Sequence, residues 1–205
     1  NGAAASFYND VATQSLRLDS GSSAYLSRTP SSAGNRKTWT WSGWLKRGNL
    51  GGSHGLIEST SISLGLHLDK LFITVAGVGN GFSTAVFRDS SAWYHVLIAF
   101  DTTQASSADR VKFYVNGTQH SLDNTRVSQN TDYNINNTTL QRIGVTPISG
   151  STTYIDGYLS EVNFVDGTAL DPTSFGETKN GVWIPIEYTG SYGTNGYRLQ
   201  FNQTG

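Results

Sequence analysis

AWYHVLIAFDTT (residues 92–103), followed after a polar loop by VKFYVNGTQ (111–119), is the stretch whose reading decides the fold. Val96, Ile98 and Phe100 alternate with His95, Leu97 and Ala99, and Phe113 and Val115 alternate with Lys112 and Tyr114. Successive side chains on a strand point to opposite faces, so each half reads as a strand with one face on a core. Asn116-Gly117 closes the second half with a pair that accepts positive φ, which suits a tight hairpin turn.

The same period of two recurs on both sides. TWTWSGWLKR (38–47) puts Trp39, Trp41, Gly43 and Leu45 on one face and Ser42, Trp44 and Lys46 on the other. SLRLDSGSSAYLSR (15–28) reads as two short strands around a turn at Ser20-Gly21. HGLIEST, SISLGLHLDK and LFITVAGVG (54–79) continue the series, with Ile62, Leu64, Leu66 and Leu68 on one face. QRIGV (141–145) and YIDGYLSEVNFV (154–165) complete it, whereas residues 101–109 and 120–139 read as polar loops. Spacing of three and four, the helical signal, is nowhere sustained. Beyond Phe175 the texture becomes rich in Gly and Tyr, which fits an extra strand pair or a lead into a further domain.

Composition agrees with an all-β chain of many turns. The 205 residues include 23 Gly and 4 Pro, and 14% are charged. A single domain of this size buries roughly 70% of its unfolded surface, so a core forms without staples. There are 0 cysteines, which excludes disulfides and thiolate metal sites. A net charge of −1 excludes a phosphate-tracking surface, and nucleic acid is not an expected partner. No apolar run is long enough to cross a bilayer, so membrane insertion is not expected either. The chain starts Asn1-Gly2 and contains 0 methionines, which reads as a processed segment of something longer.

The order TWTWSGWLKR, AWYHVLIAFDTT, VKFYVNGTQ and YIDGYLSEVNFVDGTALDPTSF (154–175) resembles the concanavalin A-like lectin/glucanase superfamily, in its laminin-G-like and pentraxin-like branch. The resemblance spans residues 15–176 and implies an all-β fold, a two-sheet antiparallel jelly-roll sandwich. Residues 1–14 would form a lead-in and 177–205 an extension that packs on the domain or leads onward. The second half, with EYTGSYGTNGYRLQF (187–201), also resembles segments of large tail or capsid-surface proteins of marine bacteriophages. That implies a module on a virion surface or outside the cell, with subunits of a larger assembly, or further copies of itself, as partners.

One face of such a sheet points away from the sandwich core, and the residues phased to it are Trp44, Lys46, His95, Lys112 and Tyr114. Indole and phenol faces stack on the C–H edges of a sugar ring while polar neighbours meet its hydroxyls, so these five residues are the candidate carbohydrate-binding site. The alternative is that loops or the C-terminal tail cover Trp44. A glycan is then the expected ligand, and a subunit-binding sandwich without small ligand is the second reading.

Catalysis is not expected. Glucanases of the superfamily carry carboxylates at alternate positions of one strand, and retaining glycosidases hold the pair about 5 to 5.5 Å apart. Here Asp156, Glu161 and Asp166 stand five positions apart, an odd spacing that sends neighbours to opposite faces of a regular strand. Asp156-Gly157 and Asp166-Gly167 suit turns, and Glu161 suits a carboxylate held by backbone amides. Gly51-Gly52-Ser53-His54-Gly55 matches the pattern of a nucleophile elbow but lacks the strand-to-helix context that an elbow requires. His54, His67, His95 and His120 show no zinc-binding spacing. No metal or other cofactor is assigned, although Asp123, Asp132 and Asn134 could hold calcium weakly. Pentraxin-like relatives place an acidic cluster where this chain has GVTPISGST (144–152). The sequons at Asn116, Asn136, Asn137 and Asn202 bear sugar only in a glycosylating secretory route.

Overall fold

The computed structural model describes residues 10–148 and 151–202. The expected lead-in lies outside the described residues as far as residue 9, and so do residues 203–205 of the extension. The strands are β1 Leu16–Leu18, β2 Leu26–Arg28, β3 Thr38–Arg47, β4 Ser53–Ser59, β5 Ile62–His67, β6 Lys70–Val75, β7 Gly79–Phe82, β8 Trp93–Asp101 and β9 Val111–Val115. They continue with β10 Thr118–His120, β11 Gln141–Ile143, β12 Val145–Ile148, β13 Ser151–Tyr154, β14 Gly157–Asp166, β15 Gly176–Lys179, β16 Val182–Pro185 and β17 Tyr197–Leu199. Among the described residues the helices are three short 3-10 turns.

Two antiparallel sheets form the sandwich. The first runs β1-β14-β3-β8-β9-β10, with β17 also on β14, and the second runs β2-β11-β4-β5-β6-β7. Hairpins β12–β13 and β15–β16 stand apart from both. Strands β8 and β9 pair as the alternation requires, and Asn116 and Gly117 turn the chain into β10 with φ of 48° and 79°. The core between the sheets takes the expected side chains: Trp39, Trp41, Leu45, Val96, Ile98, Phe100, Phe113 and Val115 are buried. Trp39 pairs with Phe100 across β3 and β8, and their rings stack at 4.5 Å. Gly43 is required beside them, because a Cβ there would stand 2.7 Å from the Trp41 ring.

Three local readings of the sequence are corrected. Leu68 does not share the core face of Ile62, Leu64 and Leu66. With Asp69 it forms the turn between β5 and β6 at φ of 47° and 65°, and it is 59% exposed. Asp69 secures that turn by accepting from Gly51 N, Arg47 Nη2 and Arg88 Nε.

The carboxylate parity on β14 also fails. Ser160 pairs with Trp44 but Asn163 with Ser42, so two residues on β14, Glu161 and Val162, oppose one on β3, Gly43, and Glu161 sits in this bulge at φ 47°. Leu159 and Val162 therefore both enter the core, and odd or even spacing across the bulge does not report a face. Glu161 is bonded to the Arg198 guanidinium at 2.8 Å rather than to backbone amides.

The outer face of the first sheet is the third correction, since it is not a free platform. Leu97, Ala99, Val165 and Phe175 form a second buried cluster, against which Tyr114, Leu170, Tyr188 and Tyr192 pack. The cover is the chain's own C-terminal segment. Asp166 fastens it: its carboxylate accepts from Asn35 N, Asn136 Nδ2 and Asn195 N, at 2.8, 2.6 and 3.1 Å. Tyr192 donates to Asn163 Oδ1 at 2.7 Å, and β17 pairs along β14 at 162–164. Asn136 is completely buried in this fastening, so the folded chain cannot carry a glycan there.

Candidate functional site

The cover is incomplete at one end of the sheet, where it leaves a cavity of about 510 Å³. Trp44 from β3, Trp93 from the start of β8 and Ser160 from β14 form its floor. Val182, Trp183 and Pro185 of β16 form one wall, and the segment Val11–Ser15 forms the other. Ser160 Oγ ties that segment down by donating to the Gln14 carbonyl at 2.5 Å. Of the 5 tryptophans, Trp39 and Trp41 are core, and the remaining three all line this cavity.

His95 organises the aromatic part. It stands opposite Trp44 in register, with ring centroids 5.2 Å apart, and Trp183 stacks on its other side at 5.9 Å. Trp183 Nε1 donates to His95 Nδ1 at 3.0 Å, and Ser42 Oγ lies 2.9 Å from His95 Nε2. An indole N–H can only donate, so Nδ1 is the acceptor and the neutral ring carries its proton on Nε2, toward Ser42. Burial pushes the His95 pKa down to about 3, which keeps the ring in that neutral form. Gly117 seats Trp183 from below. It holds φ of 79°, and a Cβ there would stand 2.7 Å from the indole.

The five residues expected to form an exposed platform divide. Trp44 lines the cavity but is only 8% exposed. His95 is fully buried and orients two indoles rather than meeting a ligand. Tyr114 packs in the second cluster, and Lys112 is ion-paired with Asp109 at 3.1 Å. Lys46 lies opposite Trp93 on the same face without lining the cavity. Trp93 and Trp183 were missed. The first shares the phase of His95 and was legible; the second lies in the tail, where no periodic pattern assigns it a place.

The carboxylates weighed for catalysis are each engaged elsewhere. Asp156 pairs with Arg17 at 2.5 Å, Glu161 with Arg198, and Asp166 with its three donors. Ser53 and His54 lie on antiparallel β4. The serine hydroxyl meets His67 Nδ1 at 2.7 Å, and His54 Nε2 meets Arg47 Nε at 3.2 Å. Around the loop weighed for calcium, the Arg36 guanidinium sits on the Asp132 and Tyr133 carbonyls and Asn134 Oδ1, while Asp123 accepts from Phe82 N. Among the described residues no group of three His, Cys, Asp or Glu converges as a metal site. A second cavity of about 620 Å³ opens between β2, β11 and β17, lined largely by aliphatic and aromatic groups such as Ile57, Ile143, Leu199 and Phe201.

The laminin G 3 model of the concanavalin A-like lectin/glucanases superfamily matches residues 19–174, and the chain belongs to that family. A proposed carbohydrate-binding protein of Bacteroides ovatus is similar in structure, with TM-score 0.57 and 14% identity over 73% of this chain and 42% of that one. The heptameric SAP-like pentraxin of Limulus polyphemus gives a TM-score of 0.51 and 16% identity over 78% and 75%. Domains LG4-5 of the mouse laminin alpha1 chain give 0.52 and 14% over 76% and 42%. The chain thus spans less than half of two of these three structures, and at such identities the likeness concerns the fold. No curated protein matches the chain in sequence.

Proposed function

We propose that the chain is a carbohydrate-binding module that takes a glycan in the three-tryptophan cavity and carries out no chemistry on it. The observation that carries this reading is the convergence of Trp44, Trp93 and Trp183 with the hydroxyls of Thr13, Ser15 and Ser160 and the amide of Gln14 around one opening. Indole faces suit the C–H edges of a pyranose, and hydroxyl and amide groups both donate and accept, as sugar hydroxyls require. The engaged carboxylates support binding without cleavage. Presentation in repeated copies, on a virion surface or outside the cell, would convert a weak single-site affinity into firm attachment. The tail tyrosines Tyr188, Tyr192 and Tyr197 favour this reading over a subunit-binding sandwich, because they pack on the chain's own sheet.

A glycan array followed by titration of any hit tests the proposal. Trp93→Ala is the informative variant, since Trp93 is only partly buried. Affinity should fall by about tenfold or more, the scale of one lost aromatic contact. Undiminished binding by Trp93→Ala would place the ligand elsewhere.

A further inference from the structure

We infer that the cavity selects neutral sugars over acidic ones. The inference rests on the cavity being a glycan site and concerns which glycans fit it. Among the described residues its walls are three indoles, three hydroxyls, one amide and aliphatic groups, and none of these lining side chains is ionisable in the physiological range. A carboxylate or sulfate that enters loses its water and needs a charge-assisted partner in exchange. Among the described residues no ammonium, guanidinium or imidazolium lines the walls to supply one. The indoles add to the bias, because the face of an aromatic ring is the negative part of its quadrupole. It attracts the C–H edge of a neutral ring and repels an anion. Neutral hydroxyls, by contrast, find at Thr13, Gln14 and Ser15 groups that donate and accept, while Ser160 Oγ, whose proton goes to the Gln14 carbonyl, can accept.

Lys179 stands opposite Val182 across β15 and β16, and a second candidate for a countercharge is Lys46, which stands opposite Trp93 across β3 and β8. Both lie outside the lining and are partly solvated, so their attraction for an anion is screened. His95, although between two of the indoles, is buried behind them and neutral.

The test uses pairs that differ in charge but little in shape: methyl-esterified against de-esterified oligogalacturonides, and β-1,4-mannohexaose against hexamannuronate. Binding is followed by tryptophan fluorescence and calorimetry at low and high salt. In any pair that binds, the neutral member should be at least about tenfold tighter, with little dependence on salt, because the acidic member leaves a desolvated charge unpaired. Lys46→Gln should leave that neutral affinity unchanged within about twofold. Gln14→Lys should narrow the gap by bringing a cation to the wall. Acidic members binding as well as or better than neutral ones, with affinity lost in high salt or in Lys46→Gln, would overturn the selection for neutral sugars and leave the glycan site standing. If no sugar binds, including every neutral structure on an array, the glycan reading itself falls and this inference with it.

Discussion

The two faces of the seven-stranded sheet are both buried, but by different means. The inner face meets a second sheet, and its central residues, from Trp39 and Trp41 to Ile98 and Phe113, are sealed from solvent. The outer face meets a tail. Phe175 and the segment that carries Tyr188 and Tyr192 cover Leu97, Ala99 and Val165, while hairpin β15–β16 reaches the end where Trp44 and Trp93 stand without closing it. Sheet against sheet leaves a packed centre, with a cavity at the edge where β17 meets β2 and β11, whereas the tail leaves a gap whose walls come from separate parts of the chain. Only Trp44, Trp93 and Ser160 of the cavity lie within the matched family residues 19–174; the remainder come from the flanks. The family frame supplies the floor, and this chain's own ends supply the walls.

The largest effect should come from breaking the inner face. Trp39→Ala removes a fully buried indole stacked on Phe100, and the cavity left should cost about 3–5 kcal/mol. Urea denaturation of this variant should show a fold that is barely stable.

Acid should come next and should act on both faces. Burial holds His95 at about 3 and, with Arg47 beside it, His54 at about 4, both below the ordinary value of 6.5. The folded ring stays neutral where the unfolded one takes a proton, so stability is full above about pH 6.5 and declines as pH falls from there toward the folded values. At pH 5 the loss should be on the order of 2 kcal/mol per histidine. His95→Gln, which keeps one acceptor and one donor, should remove the His95 share of that slope. An unchanged urea midpoint between pH 7 and pH 5 would show that the seat of Trp183 is not the neutral imidazole described above.

The inner face was legible because a half-buried strand announces itself by alternation, and TWTWSGWLKR carries Trp39, Trp41 and Leu45 in strict phase. The outer cover had a signal that alternation conceals. VLIAF (96–100) is apolar at every position, the pattern of a strand buried on both faces, so Leu97 and Ala99 already argued against a solvated platform. Two features gave no signal at all. Glu161 in the bulge and Leu68 in its turn adopt positive φ without being Gly or Asn, and only their surroundings hold them there. The bonds from Glu161 to Arg198 and from Trp183 to His95 join residues 37 and 88 positions apart, beyond the reach of local pattern.

A smaller effect should follow from lifting the cover without touching the core. Gly117→Ala places a methyl against the Trp183 ring and forces a side chain onto φ of 79°, at a cost of about 1–3 kcal/mol. Because Trp183 is a wall of the cavity, ligand affinity should fall together with stability. Hydrogen exchange should quicken along β15 and β16 while β3 and β8 remain protected.

The smallest effect on folding, and the sharpest on the proposed site, belongs to Trp93, with Trp44 as its control. Both line the cavity, so either alanine should weaken glycan binding. They differ in what lies behind them. Trp44 is 8% exposed and packs against His95, so its removal also undercuts the stack that seats Trp183 and should cost about 3 kcal/mol. Trp93 is only partly buried at the first position of β8, and its removal should cost less than about 1 kcal/mol. The separation is the diagnostic. Trp93→Ala should lose binding at near-normal stability, while Trp44→Ala should lose both. Equal stability losses would mean that the two indoles belong to one continuous apolar cover, and the opening between them would have no claim to be a site.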